Sequence, residues 1–367
     1  MKVIIVGGGI GGLTAAVAFH RRGWQVEVLE RAPAFTEVGA GLAIQPNGLR
    51  ALDTLGLGDG LRATCPAGPP AGIRRVDGGW LIRNDVDGLR RRFGSWVTVH
   101  RAALVDLLRQ AVPGECLRPG TDVRQVRPDG TVVHGDGTST ADLVVGADGV
   151  HSVTRRSLWP DLPGPRYVGY TTWRLIAPPR AVEGSVETWG RGARFGHVPM
   201  PDGRVYCYLM ANAPAGSRVG LDELRERFAH WHDPIPALLD SAEHESVLQH
   251  DTYELPDLPG YVHGKAAVLG DAAHAMTPNL GQGACQAMED AVTLAKAVDT
   301  LGVRGGLAAY DSARRPRTQL IARLSRQVGA PAHWTSAPLT TLRDAAVPLL
   351  PRAFFARSLT PAYTWTP

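Results

Sequence analysis

Residues 3–12 constrain this chain more than any other stretch. Val3-Ile4-Ile5-Val6 is a β-branched apolar run of the kind that forms a strand buried on both faces. It breaks at once into Gly7-Gly8-Gly9-Ile10-Gly11-Gly12. Gly7, Gly9 and Gly12 have the G-x-G-x-x-G spacing that, between a strand and a helix, marks a dinucleotide site. The first glycine permits a tight turn and the second lets the backbone approach a pyrophosphate. The third lets the helix pack closely on the strand. The helix N-terminus then turns free N–H groups toward the anion. The pattern predicts a helix from Leu13 to Arg22, stopped by Gly23, and a second strand from Gln25 to Leu29. That strand delivers Glu30 where a carboxylate can accept from ribose hydroxyls.

Of the 367 residues, 44% are hydrophobic and 20% charged, enough apolar material for a sizeable core and two interlocked domains. Three lysines (2, 265 and 296) leave 36 arginines among the 39 basic residues, yet the formal net charge is only +4. Basic runs such as Arg90-Arg91-Arg92 are short, which argues against a nucleic-acid partner. A mildly positive surface suits an anionic cofactor or an acidic substrate. Cys65, Cys116, Cys207 and Cys285 form no C-x-x-C pair and no zinc spacing, so buried free thiols and no metal are expected. The first strand begins near residue 3, which leaves no room for a leader peptide, and no apolar run is long enough to span a membrane. The expectation is a cytoplasmic protein. Monomer and homodimer both remain open.

Strand and helix alternate to about residue 65. Val38 to Ile44 is a stretch of small residues, followed by Pro46-Asn47 and a helix from Gly48 to Leu55. Pro66, Pro69 and Pro70 break the pattern. Residues 72–99 alternate polar and apolar, with Asp77-Gly78 and Asp87-Gly88 as turns, and read as antiparallel strand. A helix is expected from Arg101 to Gln110, and a hairpin from Asp122 to Val133 with a type I′ turn at Asp129-Gly130. Leu143-Val144-Val145 is a second buried strand closed by Gly146-Ala147-Asp148-Gly149. Short alternating strands run from Tyr167 to Ala211, turning at Asp202-Gly203, and Leu221 to Leu239 is helical with interruptions at Pro234 and Pro236. A third buried strand, Ala266 to Leu269, ends at Gly270-Asp271. Helix follows from about Gly283 to Thr300 and on to Val328, with apolar pieces Leu339 to Leu350 and Phe354 to Leu359 in the tail.

Asp271 stands at the end of its strand, and Thr277-Pro278-Asn279-Leu280-Gly281-Gln282-Gly283 then exposes backbone N–H groups ahead of a helix. A carboxylate there can accept from a polyol, and the loop with its helix dipole can stabilise negative charge on a flat ring. One nucleotide does not need two such sites far apart in sequence. An extended cofactor with a nucleotide at one end and a polyol-linked ring at the other does, and FAD fits that description.

Three stretches in this order resemble the flavin-dependent aromatic hydroxylases of the p-hydroxybenzoate-hydroxylase-like fold. These group A flavoprotein monooxygenases include the salicylate, 3-hydroxybenzoate and urate hydroxylases. The stretches are Gly7 to Gly12 with Glu30; Asp142 to Gly149 with Ser152 and Arg155; and Gly270-Asp271 with Pro278 to Gly283. The resemblance implies an α/β fold. A Rossmann-like FAD-binding domain would be assembled from discontinuous segments (1–71, 98–165 and 258–330). A mainly antiparallel sheet domain (72–97 and 166–257) would bind substrate, and residues 331–367 would form a C-terminal helical tail. It assigns to the cofactor Gly7, Gly9, Ile10, Gly11, Gly12 and Leu13 at the pyrophosphate, Glu30 at the adenosine ribose with Arg31 beside it, and Gly41, Ala43 and Arg101. Further on it assigns Asp148, Gly270 and Asp271, with Asp271 on the ribityl chain, and Pro278, Gly281, Gly283 and Ala284 at the isoalloxazine. Many members carry Asn where this chain has Cys285, so no side-chain amide is available there.

The same resemblance implies monooxygenation. NADH or NADPH would reduce FAD transiently, and O2 would add to give a C4a-hydroperoxide. One oxygen atom would then pass to an electron-rich aromatic or heteroaromatic small molecule. A substrate clamp or base should come from the inserted sheet. Arg194 and Tyr206 flank the Asp202-Gly203 turn and can share a face. His197 has the unperturbed pKa for deprotonating a phenol, and Arg174 and Tyr208 are further candidates. His274 reads as a structural histidine. The alternatives are a FAD-dependent dehydrogenase or oxidase, and a FAD-binding cyclase or isomerase without redox chemistry.

Overall fold

The structure is a computed structural model, and it describes residues 1–35, 41–68, 70–350 and 359–367. Its centre is the strand Lys2–Val6, paired in parallel with Gln25–Glu30 on one side and Leu143–Gly146 on the other. Ala266–Val268 continues the parallel sheet beyond Leu143–Gly146, and Leu117–Pro119 continues it beyond Gln25–Glu30. Val262–His263 closes one edge antiparallel. Three strands far apart in the chain therefore end side by side, each followed by a glycine-containing turn. The helix Ile10–His20 packs against the long helix Gly283–Gly329 and against Arg101–Gln110. It begins earlier than the sequence pattern suggests, because Gly9 already serves as its N-cap.

A second sheet holds seven strands in the order 248–254, 166–177, 205–212, 193–199, 185–189, 70–75 and 80–83. It is antiparallel except where Ser185–Trp189 runs parallel to Pro70–Arg75. One face carries Trp173, Leu175, Phe195, Cys207 and Leu209, packed under the helices Leu221–Phe228 and Ile235–Asp240. Pro236 lies in the first turn of the second of these helices, where its missing N–H is tolerated, rather than interrupting it. The opposite face roofs a large cavity above the parallel sheet. A small sheet of Gly41–Ile44, Trp96–His100 and Pro66–Ala67 connects the two.

Several local expectations are corrected. Asp87-Gly88 is not a turn: Val86–Phe93 is a helix whose N-cap, Asp85, accepts from the Gly88 N–H at 2.9 Å. Trp96–His100 pairs with Gly41–Ile44 instead of joining the large sheet. At Asp129-Gly130 only the glycine has positive φ, and Gly130 N–H donates to the Arg127 carbonyl at 3.1 Å. This excludes type I′, which needs two left-handed residues. The long helix breaks at Gly302, where φ is 71° and ψ is 170°. Residues 38–40, Pro69 and 354–358 of the stretches singled out above lie outside the described residues. Ala337–Ala346 is helical, with a further turn at Val347–Leu349. Among the described residues no helix is long and apolar enough to cross a membrane, and no cluster of His, Cys, Asp and Glu could hold a metal ion.

Candidate cofactor and substrate site

The glycine turn is fixed by close backbone approaches. Gly7 has φ of 102°, its N–H donates to the Leu29 carbonyl at 2.8 Å, and a Cβ on it would stand 2.4 Å from the Ala147 carbonyl oxygen. A Cβ on Gly12 would stand 2.0 Å from the Gly7 carbonyl oxygen. Neither contact can relax without moving a strand of the parallel sheet. Leu13 is buried in the core, and Gly9, Ile10 and Gly11 border the cavity with the helix N-terminus. The Glu30 carboxylate accepts from Gly8 N–H at 2.6 Å and from Ala32 N–H at 2.8 Å, one bond to each oxygen. Each oxygen keeps acceptor capacity for a diol. Arg31 is exposed on the segment that follows.

Asp148 is committed elsewhere. Its oxygens accept from Ser152 Oγ at 2.5 Å and from Thr154 N–H and Oγ1 at 2.9 and 3.0 Å, at the start of the helix Val153–Leu158. Arg155 donates to the carbonyls of Ala272 and Val150 at 3.0 and 2.7 Å and so ties this motif to the Asp271 segment. The middle motif presents backbone at Ala147 and Gly149 to the cavity rather than the Asp148 carboxylate.

Asp271 opens the short helix Asp271–His274 and is exposed into the cavity. The loop that follows turns at Gly281, which is left-handed at φ 61° and ψ 27°. Gln282 is fully buried there. It accepts from Asn47 Nδ2 at 2.9 Å and Gln286 Nε2 at 2.7 Å, and donates to Gln45 and Asn47. Gln45 Nε2 donates to the Leu280 carbonyl at 2.7 Å, and Asn47 donates to Glu289 Oε1 at 2.7 Å. Glu289 pairs with Arg314 and with Arg317, the latter at 2.8 Å. Asp290 accepts from Arg314 at 2.6 Å, His274 Nε2 at 2.6 Å and Gly270 N–H at 3.0 Å. Burial pushes the Asp290 carboxyl up, but His274 and Arg314 outweigh it and hold it ionised. The sequence reading took His274 as structural and overlooked the rest. The signal is that Gln282, Gln286, Glu289 and Asp290 are polar at helical spacing along a stretch, 282–295, that is otherwise apolar but for Thr293.

Gly9–Gly11, Asp271 and the Gly281 loop open onto one continuous cavity of about 1350 Å³, while Gly7, Gly12, Leu13, Glu30 and Arg31 do not line it. It runs from Gly9–Gly11 past Gly41 and Ala43 to Gly270, Asp271, Pro278, Gly281, Gly283 and Ala284, and continues under the large sheet. Arg101, at the start of its helix, also borders it. Gly41 has no room for a side chain, since a Cβ would meet the Tyr206 ring at 2.3 Å.

Strand register sorts the substrate-side candidates. Arg194 pairs with Met210, Gly196 with Tyr208 and Val198 with Tyr206, so Arg194, Tyr206 and Tyr208 share the cavity face. Arg174, opposite Tyr208, shares it too. His197 is corrected: it pairs with Cys207 and Val186, on the face covered by helices. It borders the cavity along its strand, and the groups that act on it are His232 and Arg74, the latter on the strand Pro70–Arg75 of the same sheet. Burial first, then His232 and Arg74, lowers its pKa to about 4, and neither ring nitrogen has a hydrogen-bond partner among the described residues. Arg194 is buried and already paired. It meets Glu187 Oε1 at 3.3 Å and Met210 Sδ at 3.0 Å and donates to Asn279. Tyr208 Oη donates to the other Glu187 oxygen at 2.9 Å. Burial raises the Tyr206 pKa, and Arg174 beside it partly offsets the rise. Cys285 is packed in the core, and burial pushes its thiol up to about 12.

Comparison with known proteins agrees with this geometry. A family model described as an FAD binding domain matches residues 1–325. The chain is 38% identical to aurachin C monooxygenase/isomerase of Stigmatella aurantiaca, over 94% of this chain and 93% of that protein. It is also 38% identical to 2-heptyl-3-hydroxy-4(1H)-quinolone synthase of Mycobacteroides abscessus, over 85% of each. The crystal structure of Klebsiella pneumoniae HpxO complexed with FAD and uric acid superposes with a TM-score of 0.88 at 28% identity, covering 99% of this chain and 97% of that one. The chain therefore belongs to the FAD-dependent aromatic hydroxylase family, the flavoprotein monooxygenases.

Proposed function

We propose that this enzyme lays FAD along the cavity from Gly9 to Ala284 and holds an aromatic or heteroaromatic substrate between the Gly281 loop and the large sheet. The residues fit that cofactor. The glycine turn offers unfilled N–H groups to a pyrophosphate, Glu30 keeps lone pairs for a ribose, and Asp271 faces the cavity between them and the ring-side loop. In this reading residues 1–71, 98–165 and 258–330 serve the cofactor, and 72–97 and 166–257 serve the substrate. When bound, the flavin accepts hydride from NADH or NADPH and activates O2 for insertion of one oxygen atom.

The protein supplies position, dryness and fixed dipoles. The N–H groups at Gly283 and Ala284, at the start of the long helix, are placed to stabilise charge on the ring, while the Gly281 N–H is held by the Pro278 carbonyl at 2.9 Å. Tyr206, beside Arg174, can hold or pass a proton at the cavity wall. Arg194 acts through Glu187 and Asn279 to set the Tyr208 hydroxyl and the ring-side loop, rather than as a free anion clamp. The reducing cytoplasm suits four unpaired thiols. Uric acid in the Klebsiella complex and the quinolone in the Mycobacteroides protein's name support a nitrogen heteroaromatic as the substrate class.

The observation that carries this reading is the single cavity joining the glycine turn, Asp271 and the Gly281 loop beneath the sheet. The test uses purified protein. A yellow protein whose NAD(P)H oxidation is stimulated by an aromatic substrate, with 18O from O2 in the product, supports it. A yellow protein that never oxidises NAD(P)H sinks it in favour of the isomerase reading, which the name of the Stigmatella relative keeps in view. A colourless protein that cannot be reconstituted removes every flavin reading.

A further inference from the structure

The cavity is chemically lopsided across the width of its roof. Arg174 and His250 lie on the strands Arg166–Ala177 and Leu248–Glu254, at one edge of the sheet, near Arg101 and Gly41. Pro70–Arg75 lies four strands from Arg166–Ala177, roughly 19 Å away at the usual strand spacing. There Ile73, Ile82, Trp189 and Val347 line the cavity as part of one apolar cluster with Leu81 and Ala332, bordered by Ser185, Glu187 and Asn84. Between the two ends, Arg194 and Glu187 neutralise each other, and the hydrogen bonds from Trp189, Tyr208 and Arg194 converge on the Glu187 carboxylate. A substrate carboxylate placed there would meet a cation already spent on Glu187 and would lie beside that like charge.

At the apolar end the cavity is bordered by partly exposed apolar side chains. Val328, at the end of the long helix, and Leu350, after the turn Val347–Leu349, both border the cavity and are 37% and 41% exposed. Outside this rim Leu349 and Leu342 are more exposed still, at 83% and 62%. An apolar channel with an apolar mouth is costly to leave against water, and a surface patch of this kind commonly marks a binding site.

Building on the monooxygenase reading, we infer that the substrate is an uncharged aromatic or heteroaromatic ring bearing a long aliphatic substituent. The chain runs from the ring pocket over Trp189, Ile73 and Ile82 and leaves between Val328 and Leu350. The ring is held by shape and by neutral hydrogen bonds. Affinity comes chiefly from the chain.

The test titrates the FAD-loaded protein with two homologous series, 4-alkylphenols and 2-alkyl-4-quinolones from methyl to heptyl, with 4-hydroxybenzoate as the acidic comparison. Binding is read from perturbation of the flavin spectrum, and turnover from stimulated NAD(P)H oxidation. Kd is expected to fall up to about fourfold per added methylene in at least one series. In Val328→Asp and Leu350→Asp the heptyl member should lose most of its advantage over the methyl member. Both positions are partly exposed, so the variants can fold. A Kd independent of chain length in both series overturns the inference, as does tighter binding of 4-hydroxybenzoate than of any heptyl compound. If 4-hydroxybenzoate still stimulates NAD(P)H oxidation, the monooxygenase reading survives that failure. A protein that takes up no FAD overturns both.

Discussion

Glu30 joins two tasks in one carboxylate. It pins the glycine turn through Gly8 and Ala32, and it offers its remaining lone pairs to a ribose. Glu30→Gln replaces one charged acceptor with an NH2 that opposes a backbone N–H. Charge-assisted bonds of this type contribute about 1.5–3 kcal/mol, so FAD Kd should rise roughly ten- to a hundredfold, measured by flavin fluorescence titration of apoprotein. Residues of this kind were legible in the sequence because their chemistry is local. A glycine follows a strand, or an acid ends one, and the spacing alone fixes the geometry. His197 was not legible in that way. Its residue type suited a base, but a strand sends neighbouring side chains to opposite faces, and only the register with Cys207 and Val186 shows which face it took.

The helix Gly283–Gly329 is the element on which the ring-side loop depends. Its buried carboxylates Glu289 and Asp290 face Arg314 one break further along the same element, and from there the bonds run through Asn47 and Gln282 to the loop. Arg314→Met would leave two acids buried, with His274 still hydrogen-bonded to Asp290 and the partly exposed Arg317 paired to Glu289. A loss of about 3–5 kcal/mol is expected in urea unfolding, since removing one partner of a buried ion cluster strands the other charges. FAD affinity should fall with it, because the Gly281 loop loses its brace. Sequence inspection reads such a polar stripe as the wet side of a surface helix. It cannot show that Asn47, more than two hundred residues away, stands opposite. The element types were read more surely than their ends. The exception is Val86–Phe93, where Asp87-Gly88 imitates a turn while Asp85 caps a helix.

Across the whole molecule, His197 and His333 are the two histidines with the largest lowering; His250 at the sheet edge is lowered as well. His197 is lowered to about 4, and His333 to about 3 by burial and then by Arg194. His333 stacks on Tyr170 at 3.8 Å, and its Nδ1 lies 2.9 Å from Asn212 Oδ1. A histidine depressed in the folded state is protonated first in the unfolded chain. Stability is therefore intact above about pH 6.5 and declines as pH falls toward the folded values. Each should cost on the order of 2 kcal/mol by pH 5, read as a lower urea midpoint at pH 5 than at pH 7. Asp290 stays ionised throughout that window and adds nothing to the slope. His333→Asn should roughly halve the difference.

The Gln282 contacts have a practical corollary. The partners that fix the Gly281 turn are side chains and carbonyls of the polypeptide itself: Pro278, Gln45, Asn47, Gln286 and Leu280. A receptor built this way is moulded before its guest arrives. Stripping the yellow pigment with acid-free chaotrope and returning the protein to buffer should leave the helix amides from Gln286 onward as slow to exchange deuterium as before, and colour should return on simple mixing, without a refolding lag.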